Sequence, residues 1–304
     1  MSLKCGYVAV VGLPNAGKST LVNALVGERV SIVSSKPQTT RQRVTGVYTG
    51  DKEQVIFFDA PGFIQADSGL NKFIQSEWES SIEEADVVLG VLNIDADSEA
   101  HIDRVIENLK SIERPKLAFI NKVDLKKDVR RLFMLEEKLR QADIDYLFGS
   151  ASKLKDDLKE TLLKKIVEHL PEQDYFLCDT DIYTLQTLRE MTSEIIREKC
   201  FLTLAQEIPY QLAVHVRLFE ENSHCIRIFA EIWVSKERYK KMVVGAQGSK
   251  IVRIDTLARK NIQTLVRQKV FLDLNVKVKE NWNKNQQIMK ELGYDIRKPE
   301  SATI

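Results

Sequence analysis

The chain has 304 residues, 43% hydrophobic and 29% charged, which predicts an ordinary soluble protein of two domains and excludes a fibrous or disordered one. Cys5, Cys178, Cys200 and Cys225 form no Cys-x-x-Cys pair and the four histidines complete no metal-ligand spacing, so a zinc or disulfide framework is excluded and free thiols fit a reducing cytoplasm. The net charge of +1 divides unevenly: residues 1–178 hold 24 Lys+Arg and 28 Asp+Glu, residues 179–304 hold 21 and 16, so the second half suits an anionic partner.

Residues 7–11, Tyr-Val-Ala-Val-Val, read as a short strand and not as a signal peptide, and no apolar run downstream is long enough to span a membrane. Directly after this run, Gly12-Leu13-Pro14-Asn15-Ala16-Gly17-Lys18-Ser19 fits G-x-x-x-x-G-K-[ST], and a helix pattern over 19–26 follows. Glycine permits the backbone angles that turn successive N–H groups inward around phosphate oxygens, and the helix aims its positive end at the same place. In such a loop Lys18 reaches the β- and γ-phosphates, the Ser19 hydroxyl ligates Mg²⁺, and Thr20 completes the phosphate-binding segment. Residues 37–41, Pro-Gln-Thr-Thr-Arg, are polar and aperiodic. Either Thr39 or Thr40 is suited to close on Mg²⁺ when a nucleoside triphosphate is present, and the pattern does not choose between them.

A strand over 55–58 ends on Asp59-Ala60-Pro61-Gly62, where Asp59 is suited to hold Mg²⁺ through water and the Gly62 N–H to sense the γ-phosphate. Helices over 69–84, 100–111 and 128–141 alternate with strands over 87–92 and 117–120. The strands are short, β-branched and without alternation, as strands buried on both faces are, so the expected core is a mostly parallel α/β sheet. The last of these strands runs into Asn121-Lys122-Val123-Asp124. Guanine presents two donors side by side, N1–H and the exocyclic amine, and the Asp124 carboxylate accepts both, whereas adenine would leave it unpaired. Lys122 lays its aliphatic stem on the base and Asn121 ties this loop to the phosphate loop. Ser150-Ala151-Ser152 fits a loop whose backbone N–H meets the guanine O6. A helix over 154–169, stopped by Pro171, closes a nucleotide domain at 1–171.

Residues 172–181 read as a linker and 182–304 as a smaller α+β domain. It has a long helix over 185–205, strands over 212–218 and 225–234, a basic helical segment over 250–269 and a strand over 270–278. Within the basic helix Ile251, Ile254, Leu257, Ala258, Ile262 and Leu265 recur at helical spacing and are expected to face a core. Ten basic and two acidic residues lie between Lys236 and Lys269. Gly245-Ala246-Gln247-Gly248 joins two helices there, which is how a KH domain grips a single-stranded RNA backbone, and the element order is that of the type II variant. Ala246 and Gln247 are neutral where such loops usually carry a basic residue. Lys240, Lys241, Lys250 and Arg253 must then supply the charge.

The order of these elements resembles the translation-factor-related GTPases, and the second half narrows the resemblance to the Era family. The phrases that carry it run over 37–41, 193–199 (Ser-Glu-Ile-Ile-Arg-Glu-Lys), 207–210 (Glu-Ile-Pro-Tyr) and 240–251 (Lys-Lys-Met-Val-Val-Gly-Ala-Gln-Gly-Ser-Lys-Ile). The resemblance implies a P-loop GTPase domain followed by a type II KH domain, in a cytoplasmic monomer that converts GTP to GDP and phosphate with Mg²⁺. It implies partners too: single-stranded small-subunit ribosomal RNA near its 3′ end, and the immature small ribosomal subunit. Phe63 stands where Ras-type enzymes carry a water-orienting glutamine, and in related GTPases lacking that glutamine an asparagine at the Asn15 position helps hold a monovalent cation, so K⁺ beside the phosphates is a further expectation.

Two other readings stand beside this one. In the first, the basic second half meets anionic lipid, giving a membrane-surface GTPase switch with weak peripheral association at the inner face of the cell membrane, although no strong amphipathic lipid-binding helix is visible. In the second, the protein modifies RNA, but no nucleophile or metal cluster is present to do so.

Overall fold

The computed structural model describes residues 2–34, 36, 39–64, 66, 68–94, 98–125 and 129–296. By its internal contacts the chain forms two units, Met1–Gln65 with Ile74–Leu185, and Ala66–Phe73 with Gln186–Ile304.

The first unit is built on strand β1 (Leu3–Val11), whose Val8, Ala9 and Val10 are fully buried because helices cover both faces of its sheet. Around it lie β2 (Val44–Thr49), β3 (Glu53–Asp59), β4 (Val87–Asn93), β5 (Lys116–Asn121) and β6 (Asp145–Phe148), in the order β2-β3-β1-β4-β5-β6. Only β2 runs antiparallel to its neighbour on this path. The helices are α1 (Lys18–Val26), α2 (Gly69–Glu83, of which the part from Ile74 onward belongs to this unit), α3 (Glu99–Ser111), α4 (Val129–Gln141) and α5 (Asp156–Glu168). Leu21 and Leu25 of α1 join Leu162 and Ile166 of α5 against Val8 and Val10. Ile102 and Ile106 of α3 join Leu135 and Leu139 of α4 on the opposite face, against Ala9 and Val11. Truncating any of these leucines to alanine would cost about 2–5 kcal/mol, the loss of transfer energy plus a cavity. Because β1, β3, β4 and β5 are parallel, their carboxyl ends deliver residues 12, 59, 93 and 121 to one edge, where ligands bind in open α/β sheets.

Two strands escape a reading by composition. Gly46 interrupts β2, and a Cβ there would lie 2.9 Å from Val26 and 3.1 Å from Val22, so the missing side chain is what lets α1 approach. β6 is four residues long, with Asp145 and Phe148 exposed.

The stretch 172–181, expected as a linker, is instead a strap on the first unit. Glu172–Gln173 (β7) pairs antiparallel with β1. The side-chain amide of buried Gln54 donates to Cys178 O at 2.9 Å and accepts from Cys178 N at 3.0 Å. Leu177, Cys178 and Ile182 cover Val47, Ile56 and Phe58. Val47 N then donates to Tyr183 O at 2.9 Å, and the Thr184 hydroxyl to Thr45 O at 2.7 Å. Polar composition suggests a tether only when those polar groups face water, and here they pair with the sheet.

The second unit runs α6 (Leu188–Thr203), β8 (Leu212–Glu221), β9 (Ile226–Val234), α7 (Glu237–Val244), α8 (Ser249–Val266) and β10 (Val270–Val278), then a short α9 (Gln286–Glu291). Its sheet order is β10-β9-β8, with β10 parallel and β8 antiparallel to β9. A capping box starts α6, with the Thr187 side chain and Glu190 satisfying each other's backbone N–H. In α8 Ile254, Ala258 and Ile262 are fully buried, and Ile251 packs beside them. Leu257 and Leu265, expected to face the core, are half-buried and outside it, because an i, i+4 stripe leaves them on its flank. Among the described residues no helix is long and apolar enough to cross a membrane.

Candidate functional site

The loop between β1 and α1 is shaped by glycine. Gly12 has φ 150° and a Cβ there would lie 2.3 Å from Val91 O; Gly17 has φ 100° and a Cβ would lie 2.1 Å from Asn121 Nδ2. Asn15 also has a positive φ of 63°. Lys18, the first residue of α1, is 6% exposed and folds back over its loop, donating to Gly12 O at 3.2 Å and Leu13 O at 3.1 Å. Burial lowers its pKa to about 8, against the opposing pull of Asp59. Ala16 is buried, and Pro14, Asn15, Gly17, Lys18, Ser19 and Thr20 line one side of a cavity of about 380 Å³.

Thr39, Thr40 and Gly62 line the same cavity. The Thr40 hydroxyl sits 3.2 Å from the Ser19 hydroxyl, while the Thr39 hydroxyl donates to Lys36 O at 2.8 Å. The two threonines that the sequence leaves equivalent therefore differ in what they face. Pro37 and Gln38 lie outside the described residues. Asp59 is fully buried and neither of its carboxylate oxygens has a hydrogen-bond partner. Burial pushes its pKa up; the Ser19 hydroxyl, Lys18 and the Ser31 hydroxyl, close by but short of hydrogen-bond geometry with it, pull it down. A buried carboxylate with no donor, beside a pair of hydroxyls and a lysine, fits a divalent cation in chemistry and charge. Ala60 and Pro61 are buried behind it, and a Cβ on Gly62 would meet Pro14 N at 2.8 Å, so Gly62 rests directly on the phosphate loop.

Asn121 joins three loops. It is 2% exposed; its Nδ2 donates to Ala16 O at 2.8 Å, and its Oδ1 accepts from Lys122 N at 2.7 Å and Ala151 N at 2.9 Å. The Ala151 N–H is thus engaged by Asn121. Lys122, at φ 65°, lays its chain along the cavity and donates from Nζ to Asn15 O at 2.7 Å. The Ser150 and Ser152 hydroxyls are 3.1 Å apart. Asp124 Oδ2 lies 3.0 Å from Lys153 Nζ; the hydrogen bond from Lys153 foremost, then one from Ser150, holds its carboxyl below the usual range. Asp124 is therefore an acceptor at both oxygens, as two adjacent guanine donors require.

Some features lay beyond sequence reasoning. Ile32, Val33, Ser34 and Asn93 also line the cavity. The end of β4 could have pointed to Asn93, since every parallel strand beside β1 ends at that edge. The Phe63 ring turns away from this cavity, edge-on to Trp78 at 5.0 Å and under the Arg104 guanidinium at 5.0 Å.

In the second unit Gly245 (φ 76°), Gln247 (φ 50°) and Gly248 (φ 80°) make a tight left-handed turn between α7 and α8. A Cβ on Gly245 would meet Lys250 N at 3.0 Å, whereas one on Gly248 meets nothing nearer than 3.9 Å. Gly245 is needed for space and angle, Gly248 for angle alone. Ala246 and Gln247 at the tip are exposed, as are Lys241 and Arg253, with Lys240 and Lys250 half-buried on either side. Met242 and Val252, on the same two helices, are 42% and 62% exposed and add apolar surface to this face.

Comparison with known proteins agrees with both halves. A profile described as 50S ribosome-binding GTPase matches residues 7–122, and a KH-domain profile matches residues 207–283. The chain is similar to the GTPase Era of Desulfovibrio desulfuricans, 42% identical over 309 residues that cover 95% of this chain and 97% of that one. It is 37% identical to the GTPase Era of Coxiella burnetii over 292 residues, covering 96% and 98%. Two solved structures are also similar. One is a point variant of Aquifex aeolicus Era bound to GDP and AlF4⁻, at 30% identity and a TM-score of 0.89, covering 96% of this chain and 100% of that one. The other is Era in complex with MgGDPNP and nucleotides 1506–1542 of 16S ribosomal RNA, at 31% identity and a TM-score of 0.90, covering 96% and 99%.

Proposed function

Because the chain belongs to the Era GTPase family, it is a GTPase with a KH domain, and we propose that it uses GTP occupancy to time its hold on single-stranded small-subunit ribosomal RNA near the 3′ end during small-subunit assembly. The observation that carries this reading is the Gly245–Gly248 turn. Three positive-φ residues bring its backbone to the surface among Lys240, Lys241, Lys250 and Arg253, in the same chain as a guanine-type nucleotide cavity. The exposed Met242 and Val252 offer apolar surface on which unstacked bases can rest. The protein acts as a cytoplasmic monomer on the immature subunit.

In the nucleotide site, backbone N–H groups of residues 12–17 and the Lys18 ammonium would bind the phosphates. Ser19 and Thr40 would ligate Mg²⁺ directly and Asp59 through water, a choice of threonine supported by the Ser19–Thr40 contact. Bound there, Mg²⁺ supplies charge neutralisation on the β- and γ-phosphates. Asp124 would read the guanine edge, with Lys122 along the base. A water attacks the γ-phosphorus in line, and the bond to the β–γ bridging oxygen breaks to leave GDP and phosphate. With Phe63 packed elsewhere, no side chain at that position orients the water, so Asn15 holding K⁺ beside the phosphates is the proposed source of added positive charge.

The test is RNA retention by filter binding to a 3′-terminal small-subunit rRNA oligonucleotide, with GDP affinity measured on the same preparation. Replacing both Ala246 and Gln247 with Asp sets two carboxylates against phosphates, and RNA affinity should fall at least tenfold, about 1.4 kcal/mol, with GDP affinity unchanged. Unchanged RNA binding sinks the reading, and retention by anionic vesicles instead of RNA would favour a membrane-surface switch.

A further inference from the structure

Residues 28–34, between α1 and the threonines, form no helix or strand, yet they are held tightly. Asn23, one helical turn after Ser19, grips them: its Oδ1 accepts from Val30 N and Ser31 N, both at 2.9 Å, and its Nδ2 donates to Ser31 O at 2.9 Å. Val30 and Ile32 are buried on either side. Three bonds and two apolar anchors thus fix the Ser31 backbone, and they leave its side chain 3% exposed with an Oγ that has no hydrogen-bond partner. An unpaired buried hydroxyl is destabilising, a penalty that alanine in the same space would avoid.

Close by lies Asp59, fully buried with both carboxylate oxygens unpartnered, so a buried donor without an acceptor and a buried acceptor without a donor are near neighbours. A carboxylate with two free oxygens is not fixed about its own axis, whereas one that accepts a hydroxyl at one oxygen presents the other in a set direction. We propose that Ser31 is a positioning residue of the magnesium site: its hydroxyl donates to one Asp59 oxygen and leaves the other aimed at the water shell of the metal. The proposal rests on the assignment of Ser19, Thr40 and Asp59 to Mg²⁺. It also gives the Asn23 clamp a purpose, since the clamp ties the Ser31 hydroxyl to the helix that carries Ser19.

The experiment follows release of a fluorescent GDP from the full-length protein across a Mg²⁺ titration, for wild type, Ser31→Ala and Ser31→Cys. Residues that orient a metal's ligands change metal affinity about tenfold or more, so Ser31→Ala should raise the Mg²⁺ concentration that half-slows release by about tenfold. Ser31→Cys, similar in size with a weaker donor, should fall between. In EDTA, GDP release from Ser31→Ala should match wild type, and its thermal stability should equal or exceed wild type, because an unpaired polar atom has been removed. A Mg²⁺ midpoint unmoved in Ser31→Ala overturns the proposal, as does an equal loss of GDP affinity in EDTA, which would make Ser31 a structural part of the cavity wall. Wild-type release that ignores Mg²⁺ would overturn the metal assignment itself, and the proposal with it.

Discussion

Asn121→Ala is the substitution from which the geometry demands most. The side chain makes three bonds of 2.7–2.9 Å and touches the base-reading loop, the phosphate loop and the 150–152 loop at once. Its loss strands the Ala16 carbonyl and the Ala151 N–H, both in buried bonds, and the half-buried Lys122 N–H. At about 1–3 kcal/mol for each buried group left unpaired, the two in buried bonds alone cost about 2–6 kcal/mol. Part appears as lost stability and part as the cost of re-ordering three loops around the nucleotide. If about 2 kcal/mol falls on binding, GDP affinity drops about 30-fold by fluorescence titration. Guanine and xanthine differ at the edge assigned to Asp124, away from any group that Asn121 would serve, so GTP and xanthosine triphosphate should weaken by the same factor. Gly17→Ala attacks the same joint, since its Cβ would lie 2.1 Å from Asn121 Nδ2. The double variant should therefore lose less than the two single losses combined. Additive losses, or an Asn121→Ala protein that binds GDP as well as wild type, would refute the joint.

Asp124→Asn exchanges one acceptor for a donor, so preference should move from GTP towards xanthosine triphosphate, with competition binding as the check; unchanged GTP affinity would remove Asp124 from base reading. Turnover should be faster in KCl than in NaCl at equal ionic strength, and Asn15→Ala should abolish the difference; equal rates in both salts would exclude the cation. Lys18 carries the pH dependence. Its folded pKa lies at about 8, below the ordinary 10.5, so between those values the unfolded chain holds a proton that the folded one has lost, and this group's contribution to stability rises with pH across that window. Phosphates that restore its charge must then bring a proton with them. GDP binding near pH 9 should take up about one proton, and near pH 7 almost none, measured calorimetrically in buffers of different ionisation enthalpy. Uptake that persists in Lys18→Met would assign it elsewhere.

Legibility in the sequence followed how local each signal was. The β1–loop–α1 unit is contiguous, and so are the Asp59–Gly62 and Asn121–Asp124 turns, so residue order alone exposes them. Parallel strands buried on both faces read as short apolar runs, which is why β1, β3, β4 and β5 were evident. β2 and β6 were not, one broken by a glycine whose reason is α1, the other short and half-exposed. The strap at 172–185 was hidden because its polar groups find partners more than 100 residues away in sequence, Cys178 on Gln54 above all. The same distance concealed the role of Asn23 with Ser31: an Asn in a helix has no spacing rule that ties it to a loop. The choice between Thr39 and Thr40 needed the partner of each hydroxyl, which identical neighbouring residues cannot supply.

Phe63 shows how a sequence departure acquires a structural meaning. Residue type alone excludes proton chemistry at that position. The structure adds that the ring is engaged: it packs on Trp78 and Arg104, in a pocket shared with Leu13, Val105 and Leu109. Phe63 is only partly buried, so leaving that pocket would cost less than the roughly 1.5–3 kcal/mol of a fully buried side chain, but the contacts with Trp78 and Arg104 still hold the ring away from the cavity. Leu13 belongs to the phosphate loop and Phe63 follows Gly62, which rests on Pro14. The ring therefore braces the two loops that contact the phosphates while contributing nothing to the attacking water. At this position no side chain can take the place of the glutamine, so the positive charge that favours hydrolysis is left to Lys18, to the loop backbone and to the cation proposed beside Asn15.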